Sequence, residues 1–128
     1  MAQKLKVLVV DDESSYCEQL SLILRRSGHE VESALDVKTA RETARRFNPQ
    51  VLLIDFMLKD EVSGLDLARE LQASNQHLAT ILMSGYLAAE LRGDAHNQGA
   101  VASLEKPFEL SELLNAIDKA VQSPLPSG

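Results

Sequence analysis

The chain has 128 residues, 45% of them hydrophobic and 25% charged, which suits one soluble globular domain with a real core rather than two. A formal charge of −6 removes the electrostatic case for nucleic-acid binding by this domain. No segment approaches the ~20 apolar residues of a membrane span or carries the apolar core of a signal peptide, so no membrane association and a cytoplasmic location are expected.

Strand-like and helix-like stretches alternate five times. A first strand, about Lys4 to Val10, precedes a helix from about Ser14 to Ser27, in which Tyr16, Leu20, Ile23 and Leu24 share one face. Ser15 with Glu18 fits a capping box, and Gly28 sits where a C-terminal glycine stop belongs. Cys17 reads as a small apolar residue of this helix; as the lone cysteine it allows no internal disulfide, and nothing suggests zinc ligation. The second strand, His29 to Ala34, is polar enough for a sheet edge. Asp36 then caps a helix whose inner face is Val37, Ala40, Ala44 and Phe47, and Asn48-Pro49 ends it.

A third strand, Val51 to Asp55, leads through a polar loop, Lys59 to Ser63, into a helix with Leu67, Ala68 and Leu71 apolar. The fourth strand runs from about Ala79 to Ser84. A helix over about Ala88 to Gln98 has a thin apolar face and is interrupted by Gly93. The fifth strand covers about Val101 to Glu105, and a last helix places Leu110, Leu113, Leu114, Ile117 and Val121 at spacings of three and four. Pro124 and Pro126 stop that helix, so residues 1–122 form the expected domain and 123–128 a Pro/Ser-rich tail or linker. His29, His77 and His96 lack metal-ligand spacing and read as surface residues.

Five βα units imply an α/β fold, a doubly wound parallel sheet covered by helices on both faces. Either doubly wound strand order fits, but the first βα turn, Asp11-Asp12-Glu13-Ser14, holds no glycine-rich fingerprint. That favours the flavodoxin-like order 2-1-3-4-5 with five helices and argues against a dinucleotide there. Functional groups of such sheets gather beyond the carboxyl ends of the strands. There the apolar runs end in Asp11-Asp12, Asp55, Ser84-Gly85 and Lys106-Pro107. Singly, these read as a helix cap, turn residues and a solvated strand end. Together they put three carboxylates, a hydroxyl and an ammonium at one edge, a cluster that repels itself unless a cation joins it.

In these residues, in this order, the chain from about Lys4 to Val121 resembles a receiver domain of bacterial two-component signalling, of the chemotaxis-receiver kind. The resemblance implies that Asp55 accepts a phosphoryl group from a sensor histidine kinase or a histidine phosphotransfer protein. It implies Mg²⁺ held by Asp12 and Asp55 directly, by Asp11 through a water and by the Met57 main-chain carbonyl. Lys106 would pair with Asp55 at rest and with a phosphate oxygen after transfer, while the Ser84 hydroxyl binds another. The Lys106-Pro107 bond would be cis. Such a domain is not an enzyme in the usual sense; it promotes its own phosphorylation and dephosphorylation, and it signals by conformational change. Its output passes to a downstream protein or to an output domain beyond this sequence, as a monomer or a weak phosphorylation-dependent dimer.

The chain departs from the family pattern in three places. A proline usual near Lys59 is missing, and the stretch from Asp55 to Gly64 is one residue longer than usual. Where the family has Tyr or Phe three residues before the lysine, this chain has Ser103, which cannot give the aromatic rotamer signal. Tyr86, two after Ser84, is the candidate substitute. Met57 and Tyr86 would also flank the approach of a hydrolytic water, and neither carries a group suited to orienting it, so a long-lived phosphorylated form is expected. Two rivals stand beside this reading. A haloacid-dehalogenase-type phosphatase needs a second aspartate two residues after the first, where Met57 stands. A degenerate receiver would act as an unphosphorylated protein-interaction module.

Overall fold

The structure is a computed structural model that describes residues 4–56, 58, 63–75, 77–84 and 102–122. Its elements run β1 (Lys6–Val10), α1 (Ser14–Arg26), β2 (Glu30–Ala34), α2 (Val37–Phe47), β3 (Val51–Asp55), α3 (Gly64–Ser74), β4 (Ala79–Ser84), β5 (Ala102–Glu105) and α4 (Leu110–Gln122). The strands form one parallel sheet in the order β2-β1-β3-β4-β5, as the alternation of apolar runs and helices predicts. The more polar strand, β2, is at the edge. Among the described residues there are four helices; the expected helix over 88–98 and the tail 123–128 lie outside them. No helix among the described residues is long and apolar enough to cross a membrane.

Alternation along the strands explains why the central runs are apolar throughout. Val7, Val9, Val51, Leu53, Ile81 and Met83 point into one core layer, packed on Cys17, Leu20 and Leu24 of α1 and Leu113, Ala116 and Ile117 of α4. Leu8, Val10, Leu52, Ile54 and Leu82 point the other way, onto Val37 and Ala40 of α2 and Leu67, Ala68 and Leu71 of α3.

The helix ends follow local chemistry, with one correction. Asp36 caps α2 by accepting the Thr39 N–H at 2.7 Å, and Asn48 closes it in the left-handed region at φ 54°. Gly28, at φ 97°, ends α1 in a Schellman motif, with Gly28 N–H donating to Arg25 and His29 N–H to Leu24. At the start of α1 the expected capping box is absent. The cap position is Glu13, which makes no side-chain cap bond; its N–H donates to Asp11 Oδ1 at 3.0 Å, and Ser15 lies inside the first turn.

Two further expectations are corrected. His29 is buried (8% exposed), not a surface residue: its Nδ1 accepts the Leu5 N–H at 3.1 Å, tying the start of β1 to the loop before β2. His77 is exposed as expected, and His96 lies outside the described residues. On α4 the buried stripe is Leu113, Ala116, Ile117 and Ala120, while Leu110 is 51% exposed. The buried face takes in Ala116 and Ala120 and is rotated from the one the leucines alone mark out.

Candidate functional site

Register brings the site together. β1 and β3 pair Val10 with Ile54, so the next residues, Asp11 and Asp55, lie side by side at the carboxyl edge. Asp11 is fully buried and Asp55 is 6% exposed. On the other side of β4, Ser84 pairs with Glu105, and Lys106 is the next residue of the chain. Its side chain reaches back across the sheet edge, and Nζ donates to Asp11 Oδ2 at 2.7 Å and to Asp55 Oδ2 at 3.0 Å. Oxygens of Asp11, Asp12 and Asp55 all lie within 4.8 Å of one another, with Asp12 half-buried.

Asp11 is held at three further points. Its N–H donates to Ala34 of β2, its carbonyl oxygen accepts the Cys17 thiol at 3.3 Å, and Oδ1 accepts the Glu13 N–H. These bonds turn the chain from β1 into α1 and aim the carboxylate at Lys106. Behind Asp55 there is no room for a side chain at Gly64: a Cβ there would collide with the Asp55 carbonyl oxygen and lie 2.8 Å from its carbon. The Gly64 N–H donates to Phe56, closing the loop that begins after β3. A helix start pressed against the backbone of Asp55 therefore requires glycine.

Charge and burial act on the surrounding groups. Burial alone would lower the pKa of Lys106, but the hydrogen bonds it donates to Asp11 and Asp55 outweigh it and hold the ammonium above its ordinary value. Burial pushes the Tyr16 phenol up to about 12, opposed by Lys106 and aided by Asp11 and Asp55. The Cys17 thiol is pushed up to about 11, by burial first and the Asp11 charge second, so it is a proton-bearing donor and not a thiolate.

The structure thus gathers Asp11, Asp12, Asp55 and Lys106 and ends β4 at Ser84. The Lys106-Pro107 bond is cis. Ser103 lies half-buried on β5, two residues before its end. Met57, Gly85, Tyr86 and residues 59–62 lie outside the described residues. Sequence reasoning did not mark Tyr16 and Phe108 for the site. Lys106 Nζ stands over the Tyr16 ring, 4.4 Å from its centroid, and Phe108 meets that ring edge-on with centroids 6.0 Å apart. The signal was position: Tyr16 is in the first turn of α1, the turn that starts at the carboxyl edge.

Oxygen donors suit a hard divalent cation, and three carboxylates beside one ammonium leave an excess of negative charge that such an ion offsets. A doubly wound α/β domain with this acidic pocket and strand-end lysine belongs to a defined class. The family model for the response regulator receiver domain matches residues 7–118. The chain belongs to the response regulator receiver family.

The probable transcriptional regulatory protein TcrX of Mycobacterium tuberculosis is 37% identical over 112 residues, covering 88% of this chain and 47% of that protein. The transcriptional regulatory protein FixJ of Azorhizobium caulinodans is 30% identical over 117 residues, covering 91% of this chain and 55% of that protein. The chain therefore spans about half the length of these curated relatives. Among solved structures, a response regulator receiver domain protein from Clostridium thermocellum superposes with a TM-score of 0.84 at 28% identity. That likeness covers 91% of this chain and 94% of the other.

Proposed function

We propose that this domain accepts a phosphoryl group on Asp55 and serves as the receiver of a two-component phosphorelay. The observation that carries the reading is the Lys106 ammonium bridging Asp11 and Asp55 beside Asp12, an arrangement short of positive charge. A carboxylate oxygen of Asp55 attacks phosphorus in line. The bond from phosphorus to the donor's imidazole nitrogen breaks, its electron pair stays with the imidazole, and an acyl phosphate forms. Lys106 then exchanges the Asp55 oxygen for a phosphoryl oxygen, and the Ser84 hydroxyl hydrogen-bonds another. Asp12 and Asp55 would hold Mg²⁺ directly, with Asp11 acting through a water and the Met57 main-chain carbonyl as a further ligand, and the ion would supply neutralising positive charge for the transferring group.

The partners that fit are a sensor histidine kinase or a histidine phosphotransfer protein as donor. The output is a downstream protein or an output domain in a longer cytoplasmic chain, reached by conformational change. The receiver unit extends over residues 1–122, with 123–128 as tail, and it promotes its own phosphorylation and dephosphorylation. Acetyl phosphate with Mg²⁺ should add one phosphoryl group to the wild type by intact mass, and none without Mg²⁺ or in Asp55→Asn. Equal labelling of Asp55→Asn would refute the assignment. No labelling of the wild type would favour an unphosphorylated interaction module.

A further inference from the structure

A lysine side chain has four rotatable bonds and three donors, so nothing intrinsic aims it. Here two carboxylates account for two of the contacts at Nζ, and the Tyr16 ring, 4.4 Å away, forms a third side. We propose that Tyr16 is a positioning residue for Lys106, its ring seating the ammonium between Asp11 and Asp55 through a cation–π contact. The proposal rests on the phosphoacceptor reading for its functional consequence.

The ring is held from both ends of the chain. Phe108, two residues beyond Lys106, packs edge-on against it with planes at 81°. Tyr16 is carried by the first turn of α1, which is tied to Asp11 by the Glu13 N–H on Oδ1 and the Cys17 thiol on the carbonyl oxygen. The aspartate that holds the ammonium therefore also sets the turn that supplies the ring. Asp11, α1, Tyr16 and Lys106 close a circuit in which displacing one member displaces the next. Among the described residues, Tyr16 with Phe108 is the aromatic pair at the lysine.

Tyr16 also packs against the core beneath α1, so a purely structural role is the competing explanation. The variants Tyr16→Phe, Tyr16→Leu and Tyr16→Met separate the two, the methionine filling most of the volume should leucine fail to fold. In NMR spectra the Lys106 ε-methylene, assigned by its loss in Lys106→Met, should be shifted upfield by the ring current. The shift should persist in Tyr16→Phe and disappear in Tyr16→Leu and Tyr16→Met. With acetyl phosphate and Mg²⁺, Tyr16→Leu and Tyr16→Met should label about fivefold more slowly, and Tyr16→Phe should restore most of the rate. In a Lys106→Met background, Tyr16→Leu should slow labelling no further. An unshifted wild-type methylene, wild-type labelling in Tyr16→Leu, or additive losses in the double variant would overturn the proposal. If the wild type itself takes no label, the phosphoacceptor reading fails while the methylene shift still decides where Tyr16 holds Lys106.

Discussion

Asp11 is fully buried and depends on Lys106 for its positive partner, which makes the lysine a structural as well as a chemical element. Removing one member of a buried pair leaves the other charged and poorly solvated, at a cost of a few kcal/mol. Lys106 is 17% exposed, so Lys106→Met should lower unfolding stability by about 2–3 kcal/mol in EDTA, measured by urea titration. Added Mg²⁺ should recover more stability in this variant than in the wild type, because the ammonium no longer competes for the carboxylates; weaker Mg²⁺ binding would contradict that account. His29 gives a separate pH dependence. Burial lowers its pKa, against the opposing pull of Asp118, and its Nδ1 must stay unprotonated to accept the Leu5 N–H. The unfolded chain therefore binds the proton more readily, and stability falls as pH drops through the ordinary histidine range. Comparing urea midpoints at about pH 7.5 and about pH 5.5, His29→Gln should show a smaller loss than the wild type.

Among the elements, α4 shows how packing selects a face. Its leucines at three- and four-residue spacing include Leu110, yet Leu110 is 51% exposed while Leu113 is buried with Ala116 and Ala120. Leu113→Ala should cost about 3 kcal/mol, since it opens a cavity against the sheet. Leu110→Ala should change stability by less than about 0.5 kcal/mol. Equal losses in the two variants, read from thermal or urea unfolding, would place the helix in a different rotation. α3 is constrained from the other direction: Ser63 caps it through the Asp66 N–H at 3.1 Å, and Gly64 lets it start against the backbone of Asp55. The same turn that begins the helix thus fixes the carbonyl behind the central carboxylate.

For the whole molecule, the pocket sets three carboxylates around one ammonium in a chain of formal charge −6. A ligand that binds the folded state alone stabilises it by RT ln(1 + L/Kd), where L is its free concentration. Mg²⁺ at about ten times its dissociation constant should add about 1.4 kcal/mol, or roughly 3–6 °C in Tm for a domain of this size. The comparison should be made at matched ionic strength, so that general screening does not enter. Asp12→Ala should abolish the Mg²⁺ shift while leaving the melting point in EDTA close to that of the wild type, since Asp12 is only half-buried. A full shift in Asp12→Ala would remove that carboxylate from the ligand set.

What could be read from the chain itself was short in range. Apolar runs of four residues marked β1 and β3, the polar character of the strand around Glu30 and Glu32 marked the edge, and Asp36 and Gly28 marked helix ends. Each is legible because strand alternation, capping and left-handed turns are decided by a few neighbouring residues. The acidic strand ends were legible because a parallel sheet carries the carboxyl end of every strand to one edge. Only the folded sheet brings Lys106 to Asp11, 95 residues away in the chain, and sets the ammonium over the Tyr16 ring. It also buried His29, left Leu110 in solvent and gave the Glu13 N–H to Asp11 in place of a capping box. Those outcomes depend on strand register and on which helix faces fit together, which are properties of contacts between distant segments and not of any local pattern.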